Sequence, residues 1–254
     1  MGKSFVFVNQ KGGVGKTTSA INIGAYLAEA GKSVLLVDFD SQANLSSGVG
    51  INEKAAKPGV YELISGLAPL EKVIRPAPGK GLSVIPSHID LSGAAVELIE
   101  QEERDFFLKN ALEPVRNSYD FILIDCPPSL GVLTLNGIAA ADEVLIPMQC
   151  EYFAMEGLSH LLQAVKRIQK SLNPKLDIGG IFFTMYDPRT RLAQQVVKEV
   201  STYFTTKVFT TIIPRNVRLS EAPSHGLPIT IYDPLCAGAR AYKSLAQEVL
   251  DRGD

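Results

Sequence analysis

Residues 5–18 read FVFVNQKGGVGKTT, an apolar run followed by a glycine-rich loop and the start of a helical pattern. The glycines at 12, 13 and 15 let backbone N–H groups converge on phosphate oxygens, because they lack a Cβ and accept backbone angles that other residues resist. A following helix would direct its unpaired amides at the same anion. Lys16 adds a charge near the outer phosphates, and Thr17 offers a hydroxyl to Mg²⁺. The segment predicts a nucleotide-binding phosphate loop.

The match to the general phosphate-loop pattern, glycine, four residues, then Gly-Lys-Ser/Thr, has one departure. Gln10 stands where that pattern has its first glycine, and a second lysine, Lys11, follows it. A glycine-rich turn between a strand and a helix can be purely structural, and a loop lysine is often only solvated. Here the glycines occur together with Lys16 and Thr17 after an apolar run, which favours nucleotide binding.

The composition is that of an ordinary α/β protein, with 46% hydrophobic residues and a net charge of −2 over 254 residues. No Pro/Ser/Gly run, charge block or repeat divides the chain, so we predict a single domain over residues 1–254. The three cysteines lack CxxC spacing, which argues against disulfides and a cysteine metal site. We find neither a signal-peptide pattern nor an apolar run long enough to span a membrane, and expect a cytoplasmic protein.

Apolar runs typical of buried strands alternate with helical patterns, which predicts βαβ units and a parallel sheet covered on both faces. The expected strands are Ser4–Val8, Ser33–Val37, Leu82–Ile85, Phe121–Ile124, Glu143–Ile146, Ile178–Phe183 and Thr211–Ile213. The expected helices lie around Thr17–Ala30, Asp90–Leu98, Asp105–Arg116, Leu133–Ala140, Ala154–Leu172, Leu192–Tyr203 and Ala239–Leu250. The predicted fold class is α/β, a doubly wound, mostly parallel sheet with helices on both faces. Ligands in such sheets bind outside the carboxyl ends of the strands.

Two of the predicted strands lead into acidic residues. Val34–Val37 is followed by Asp38 and Asp40, and Phe121–Ile124 is followed by Asp125. A carboxylate at this edge can hold Mg²⁺ or orient an attacking water, and phosphoryl transfer needs both. Acidic residues also end strands as turn or cap residues, so each of them alone is ambiguous. After a phosphate loop, the pattern favours a catalytic role.

The segment Lys11–Thr18 resembles the deviant Walker A motif of the ParA/MinD group of P-loop ATPases, in which the extra lysine is a signature. The resemblance implies a P-loop NTPase fold with ATP and Mg²⁺ as cofactors. It also implies that Lys11 reaches the phosphates of the ATP held by a partner subunit. ATP binding would then assemble a homodimer with two nucleotides between its protomers.

The same resemblance implies roles for individual residues. Lys11, Lys16 and Asp40 would be catalytic, with Asp40 activating or positioning the hydrolytic water. The metal ligands would be Thr17, Asp38 and Asp125, the last matching the Walker B aspartate. The implied nucleotide contacts are Lys11, Gly12, Gly13, Val14, Gly15, Lys16, Thr17, Thr18, Met185, Pro214 and Asn216. This chain has Ser41 where the family often has proline, which would loosen the first switch loop.

Within that group, the details favour the short partitioning branch, the ParA/Soj type. The chain begins about two residues before the first predicted strand, so we expect no helix-turn-helix extension. Its end, Ser244–Asp254, carries more acid than base, unlike the basic amphipathic helix with which MinD-type proteins bind anionic membranes. We therefore expect no membrane partner and a cytoplasmic, nucleoid-associated protein.

The charge distribution points to nucleic acid. Residues 1–150 contain 12 Lys/Arg against 17 Asp/Glu, whereas residues 151–254 contain 13 against 10. Chance and a solvated surface also explain an asymmetry of this size. By resemblance, Arg189 and Arg218 are assigned to non-specific binding of double-stranded DNA, which would contact phosphates and weaken steeply with salt.

The predicted function is a weak ATPase switch that partitions chromosomes or plasmids. Its Mg-ATP dimer would coat DNA, and a ParB-type centromere-binding protein would stimulate hydrolysis and release it. Two other classes stay open. One is a MinD-type or flagellar-type ATPase that positions a membrane or protein cargo, and the other is a metabolic P-loop enzyme, such as a dethiobiotin-synthetase-like ligase.

Overall fold

A computed structural model describes residues 2–253. Its centre is a seven-stranded sheet in the order β3-β4-β2-β5-β1-β6-β7, in which every neighbouring pair is parallel except the antiparallel pair β3 and β4. The strands are β1 Lys3–Phe7, β2 Val34–Asp38, β3 Arg75–Pro76, β4 Leu82–Ile85, β5 Phe121–Asp125, β6 Glu143–Gln149 and β7 Asp177–Thr184. This arrangement confirms the predicted α/β fold class.

Helices connect the strands and cover both faces of the sheet. They are α1 Lys16–Glu29, α2 Asn44–Gly48, α3 Val60–Ile64, α4 Leu70–Val73, α5 Leu91–Glu97, α6 Phe107–Leu112, α7 Val132–Ala140, α8 Ala154–Ser171, α9 Arg191–Tyr203, α10 Val217–Glu221, α11 Ile229–Tyr232 and α12 Ala237–Gly253. Short 3₁₀ turns follow α5, α6 and α10. Among the described residues, no helix is long and apolar enough to cross a bilayer.

The sheet separates two apolar cores. Side chains of a strand point alternately to its two faces, so in β2 Leu35 and Val37 belong to one core, whereas Val34 and Leu36 belong to the other. Helices α3 to α9 pack on the first core, and α1, α2 and α10 to α12 pack on the second. Burial on both faces explains why the strands read as continuous apolar runs.

Six of the seven predicted strands are confirmed, but Thr211–Ile213 does not form a strand. The backbone N–H groups of Thr210 and Thr211 donate to the carboxylate of Glu248, both at 2.8 Å, instead of joining a ladder. Ile213 donates to the Phe183 carbonyl oxygen at 2.9 Å, and the next residue, Pro214, has no N–H to donate. The isolated bridges beside this edge lie on either side of the segment, between Val208 and Ile181 of β7 and between Pro214 and Tyr186.

The predicted helices are all present and differ mainly at their ends, whereas the short helices α2, α3, α4, α10 and α11 were not predicted. Asp105–Arg116 was expected as one helix, but the α-helical part is Phe107–Leu112, followed by a 3₁₀ turn at Glu113–Val115. Pro114 lies in that turn, and a proline is tolerated only in the first turn of a helix. The expectation of a helix around Leu133–Ala140 matches α7 within one residue.

Candidate functional site

The phosphate loop connects the central strand β1 to α1. Gly13 and Gly15 adopt left-handed backbone angles, with φ of 73° and 87°, which glycine accepts without strain. Two side chains from neighbouring strand ends fix the loop: Thr184 Oγ1 donates to the Val14 carbonyl oxygen at 2.8 Å, and Gln149 Nε2 donates to the Gly13 carbonyl oxygen at 2.9 Å. The loop is therefore held in shape by the edge of the sheet.

Lys16 follows this loop directly and is the first residue of α1. It is 7% exposed, and its Nζ donates to the carbonyl oxygens of Asn9 at 3.2 Å and Lys11 at 3.4 Å. Burial lowers its pKa, while Asp125 and Asp40 attract the ammonium and oppose that shift. The two carbonyl oxygens thus hold the Lys16 ammonium beside the loop, where it is suited to bind phosphate oxygens.

Asp38 and Asp125 lie side by side at the carboxyl ends of β2 and β5, as register partners. Both are buried, and Asp125 Oδ2 accepts a hydrogen bond from Thr17 Oγ1 at 2.6 Å. Burial, together with repulsion from Asp38, raises the pKa of Asp125 to about 8. Its other oxygen, Oδ1, is buried without a hydrogen-bond partner in the described part of the chain.

The carboxylate of Asp38, at the end of β2, accepts hydrogen bonds from a serine of helix α2. Ser46, on α2, donates to Asp38 Oδ2 from its backbone N at 2.8 Å and from its Oγ at 2.6 Å. The same Oγ accepts from the N–H of Ser87 at 2.9 Å, beyond the end of β4. Burial raises the pKa of Asp38 to about 6, although these hydrogen bonds favour the charged carboxylate. The sequence pattern does not single out Ser46, because its role depends on contacts between distant segments.

These groups fit a divalent cation of the magnesium type. A hydroxyl and two carboxylates, one of them with an unpartnered buried oxygen, are the hard ligands that Mg²⁺ prefers, and such an ion would offset the repulsion between the two acids. Thr17 and Asp125 present their oxygens to one another directly. Asp38 Oδ2 already accepts two hydrogen bonds from Ser46, whereas its Oδ1 accepts only the backbone N–H of Asp40, at 3.3 Å. Of its two oxygens, Oδ1 is therefore the one that could face an ion or a water bound to it.

Asp40 faces the open part of the site. It lines a cleft of about 630 Å³ together with the glycines of the phosphate loop, Lys16, Thr17 and Thr18. Its Oδ1 accepts the backbone N–H of Gln42 at 3.0 Å, which fixes the carboxylate within its loop. A carboxylate at this place can orient a water beside a bound phosphate.

A second cavity, of about 250 Å³, adjoins this cleft. It is lined by all three residues predicted beside the base, Met185, Pro214 and Asn216, and it shares Gly15 and Thr18 with the phosphate cleft. Asn216 also caps α10, because its side chain accepts the N–H of Arg218 at 3.0 Å. The end of β7 and the segment between α9 and α10 thus bring the predicted base-side residues next to the phosphate loop.

Lys11 points away from the cleft that its loop forms. Its side chain is 51% exposed and makes an ion pair with Glu151, after the end of β6. It borders a separate, mostly apolar pocket of about 240 Å³ with Val14 and Phe153, and it is not among the residues that line the phosphate cleft. Of the two loop lysines, Lys16 lines the cleft and Lys11 does not.

The two arginines assigned to DNA lie outside the nucleotide cleft, and each already has an acidic partner. Arg189, whose side chain is 86% exposed, donates three hydrogen bonds to Asp187 at 2.6–3.2 Å. Arg218, whose side chain is 54% exposed, pairs with Glu221 at 2.9 Å and with Asp233 at 3.4 Å. A phosphate would have to replace these carboxylates.

The chain is similar to known proteins along nearly its whole length. A family model described as an AAA domain matches residues 2–178. The chain is 66% identical over 252 residues to the chromosome-partitioning ATPase Soj of Treponema pallidum, with 99% of this chain and 98% of that protein covered. It is 53% identical over 253 residues to the sporulation initiation inhibitor protein Soj of Bacillus subtilis, with 100% of both covered.

A solved structure is similar over nearly the same length. The cobyrinic acid a,c-diamide synthase of Mycobacterium smegmatis, with a bound ATP analogue and magnesium, matches with a TM-score of 0.85 and 35% sequence identity. The match covers 98% of this chain and 95% of that one. The fold described here is therefore one that holds ATP-like nucleotides and magnesium in a similar protein.

Proposed function

This chain belongs to the Soj/ParA family of chromosome-partitioning ATPases, and from that premise we propose that it is an ATP-dependent dimerising switch for DNA partition. Membership confirms the family resemblance inferred from Lys11–Thr18. The single observation that carries the proposal is the opposite orientation of the loop lysines, with Lys16 at the phosphate cleft and Lys11 turned outward.

In this proposal, the backbone N–H groups of Gly12–Thr18 and the Lys16 ammonium bind the phosphates of ATP. Thr17 and Asp125 hold Mg²⁺, with Asp38 behind them, and the metal neutralises phosphate charge when bound. Asp40 accepts a hydrogen bond from the hydrolytic water and orients it toward the terminal phosphate. Met185, Pro214 and Asn216 contact the base, for which adenine is favoured because the chain lacks an Asn-Lys-x-Asp guanine motif.

Dimerisation follows from the position of Lys11. An exposed lysine beside the phosphate loop, directed away from its own cleft, is available to the phosphates of a second copy facing it. Two nucleotides would then lie between two protomers, and ATP would control their association. Because each site is completed by the partner, intrinsic hydrolysis would be weak in the monomer.

The dimer is proposed to bind double-stranded DNA without sequence preference. Each protomer contributes one weak basic surface, which includes Arg189 and Arg218. The two surfaces act together once the protomers are joined, so ATP raises DNA affinity through multivalency. A ParB-type centromere-binding protein would stimulate hydrolysis and release the protein from DNA. This cycle implies a cytoplasmic protein that associates with the nucleoid.

The test is an electrophoretic mobility shift on plasmid DNA of unrelated sequence, with ATP, ADP or no nucleotide. Asp40→Ala protein is included to hold the ATP state, because it should bind ATP and dimerise while hydrolysing slowly. We expect a shift only with ATP, and a stronger one for Asp40→Ala. Binding in no nucleotide state would contradict the proposal.

The same samples distinguish the open alternatives. ATP-dependent pelleting with anionic vesicles, without a DNA shift, would favour a MinD-type or flagellar-type positioning ATPase. Turnover that requires a small-molecule acceptor, without any effect of DNA, would favour a metabolic P-loop enzyme. For the proposed switch, we expect neither vesicle binding nor a need for a metabolite.

A further inference from the structure

Helix α8 carries an unusual concentration of positive charge on its outer face. Between residues 157 and 176 the chain contains Lys166, Arg167, Lys170 and Lys175 and not one acidic residue, although acids outnumber bases in the whole chain, 27 to 25. All four side chains are exposed. We call these four residues the α8 basic surface.

The α8 basic surface differs from Arg189 and Arg218 in its lack of acidic partners. Within residues 2–253, none of its four side chains makes an ion pair or a side-chain hydrogen bond. Arg189 and Arg218, in contrast, are both bonded to carboxylates. A phosphate can approach the α8 basic surface without displacing any internal partner.

The helix dipole does not account for the whole cluster. A cation in the last turn of a helix is stabilised by the helix dipole, which explains a residue such as Lys170. It does not explain Lys175, which lies beyond the helix end, or the absence of acidic residues over the preceding turns. Unrelieved repulsion among neighbouring cations costs stability unless an anion is bound.

We propose that the α8 basic surface binds the phosphate backbone of double-stranded DNA, an inference that rests on the proposed DNA-binding function. A rise of about 1.5 Å per residue places Lys166, Arg167 and Lys170 within about 6 Å along the helix axis. Duplex DNA carries one phosphate per about 3.4 Å of its axis on each strand, so a stretch of this length presents about two phosphates per strand to the three cations. Ser159, His160 and Gln163, exposed on the same face, add hydrogen-bonding groups.

The packing of α8 favours DNA over an anionic membrane. A helix that lies on a membrane inserts its apolar face among the lipids. The apolar face of α8, formed by Leu158, Leu161, Leu162, Val165 and Ile168, is buried against the sheet. Only charged and polar groups are left outside, which suits contacts to phosphates and not insertion into lipid.

The experiment compares two triple variants of the full chain that remove the same charge. The test variant is Lys166→Gln/Arg167→Gln/Lys170→Gln, and the control is Lys54→Gln/Lys72→Gln/Lys80→Gln, three exposed lysines of the N-terminal half. Fluorescence anisotropy measures binding to a labelled duplex of unrelated sequence with Mg-ATP over a series of salt concentrations. Binding of a fluorescent ATP analogue verifies that each variant is folded.

We expect the test variant to bind DNA at least about tenfold more weakly at low salt, and its plot of log K against log salt to be shallower. The slope changes by about 0.9 for each phosphate that the protein no longer neutralises, so by roughly two to three. The control should keep the unmodified slope. A variant with Lys166→Arg and Lys170→Arg, which keeps the charge, should bind like the unmodified protein.

Three results would overturn the inference. An unmodified slope in the test variant, beside DNA binding by the unmodified protein, would refute the α8 basic surface and leave the proposed switch intact. Absence of ATP-dependent DNA binding by the unmodified protein would refute both. Binding of the unmodified protein to anionic vesicles, abolished in the test variant while DNA binding is retained, would assign the surface to lipid headgroups instead.

Discussion

Lys11 and Lys16 belong to one loop, yet they occupy opposite environments. Lys16 is 7% exposed and donates to two carbonyl oxygens of its own loop, with Asp125 and Asp40 nearby. The Lys11 side chain is 51% exposed and pairs with Glu151, beyond the far end of β6. One lysine is therefore fixed inside the site, whereas the other is attached to its rim.

This difference indicates what each lysine can do. A buried ammonium held by several partners is costly to move, because any displaced charge must be solvated or paired again. An exposed ion pair contributes little to stability and exchanges readily. Lys16 is thus suited to a permanent phosphate contact, and Lys11 to a contact that forms only when another protomer arrives.

The largest effect is expected for Lys16→Ala. Losing one partner of a desolvated charge pair costs about 2–5 kcal/mol, so ATP affinity should fall at least about 30-fold. Titration with a fluorescent ATP analogue measures it, with Lys54→Ala as the control for removal of an exposed lysine. Retained ATP affinity in Lys16→Ala would show that the buried position carries no phosphate contact.

A second prediction concerns Ser46, which is buried beside Asp38. Ser46→Ala removes a hydroxyl that donates to Asp38 and accepts from Ser87, which leaves buried polar groups unsatisfied. The free energy of unfolding should fall by about 1.5–3 kcal/mol, measured by urea denaturation without nucleotide. Ser47→Ala, on the exposed side of the same helix, should change it by less than about 0.5 kcal/mol. Equal losses of stability would contradict the assigned role of Ser46.

Glu151→Gln should have the smallest effect, and it concerns the exposed side. Removing the carboxylate frees Lys11, and an exposed pair is worth about 0.2–1 kcal/mol. Both protomers of a dimer would otherwise break such a pair, so dimerisation gains about 0.4–2 kcal/mol and the protein concentration that it needs should fall by up to about 30-fold. Analytical ultracentrifugation measures it, with Glu156→Gln, an exposed acid on α8, as the control. A higher concentration requirement in Glu151→Gln would mean that Glu151 itself supports the dimer.

Local sequence patterns were sufficient to predict much of the fold and the phosphate loop. The apolar runs identified the six long strands, because burial on both faces gives each of them an uninterrupted pattern. Asp38 and Asp125 could be expected at one edge, since parallel neighbours end together. The strand β3 was missed because two residues carry no periodicity, and Thr211–Ile213 was misassigned because the Glu248 carboxylate takes backbone donors of that segment.

Contacts between distant segments could not be predicted in the same way. Ser46, Gln149 and Glu151 contact the site from α2 and from the end of β6, and no spacing in the sequence relates them to Asp38, Gly13 or Lys11. Their side chains are common surface and turn residues. Only the packing of the sheet shows that Ser46 holds Asp38, that Gln149 holds the loop and that Glu151 holds Lys11.

The most direct test of the division between the lysines is sedimentation velocity with Mg-ATP on the unmodified protein, Lys11→Ala and Lys16→Ala, together with ATP-analogue titration of each. We expect the unmodified protein to form dimers, Lys11→Ala to bind nucleotide with unchanged affinity as a monomer, and Lys16→Ala to bind nucleotide at least about 30-fold more weakly. ATP-dependent dimers of Lys11→Ala, or equal loss of nucleotide affinity in both variants, would contradict the account.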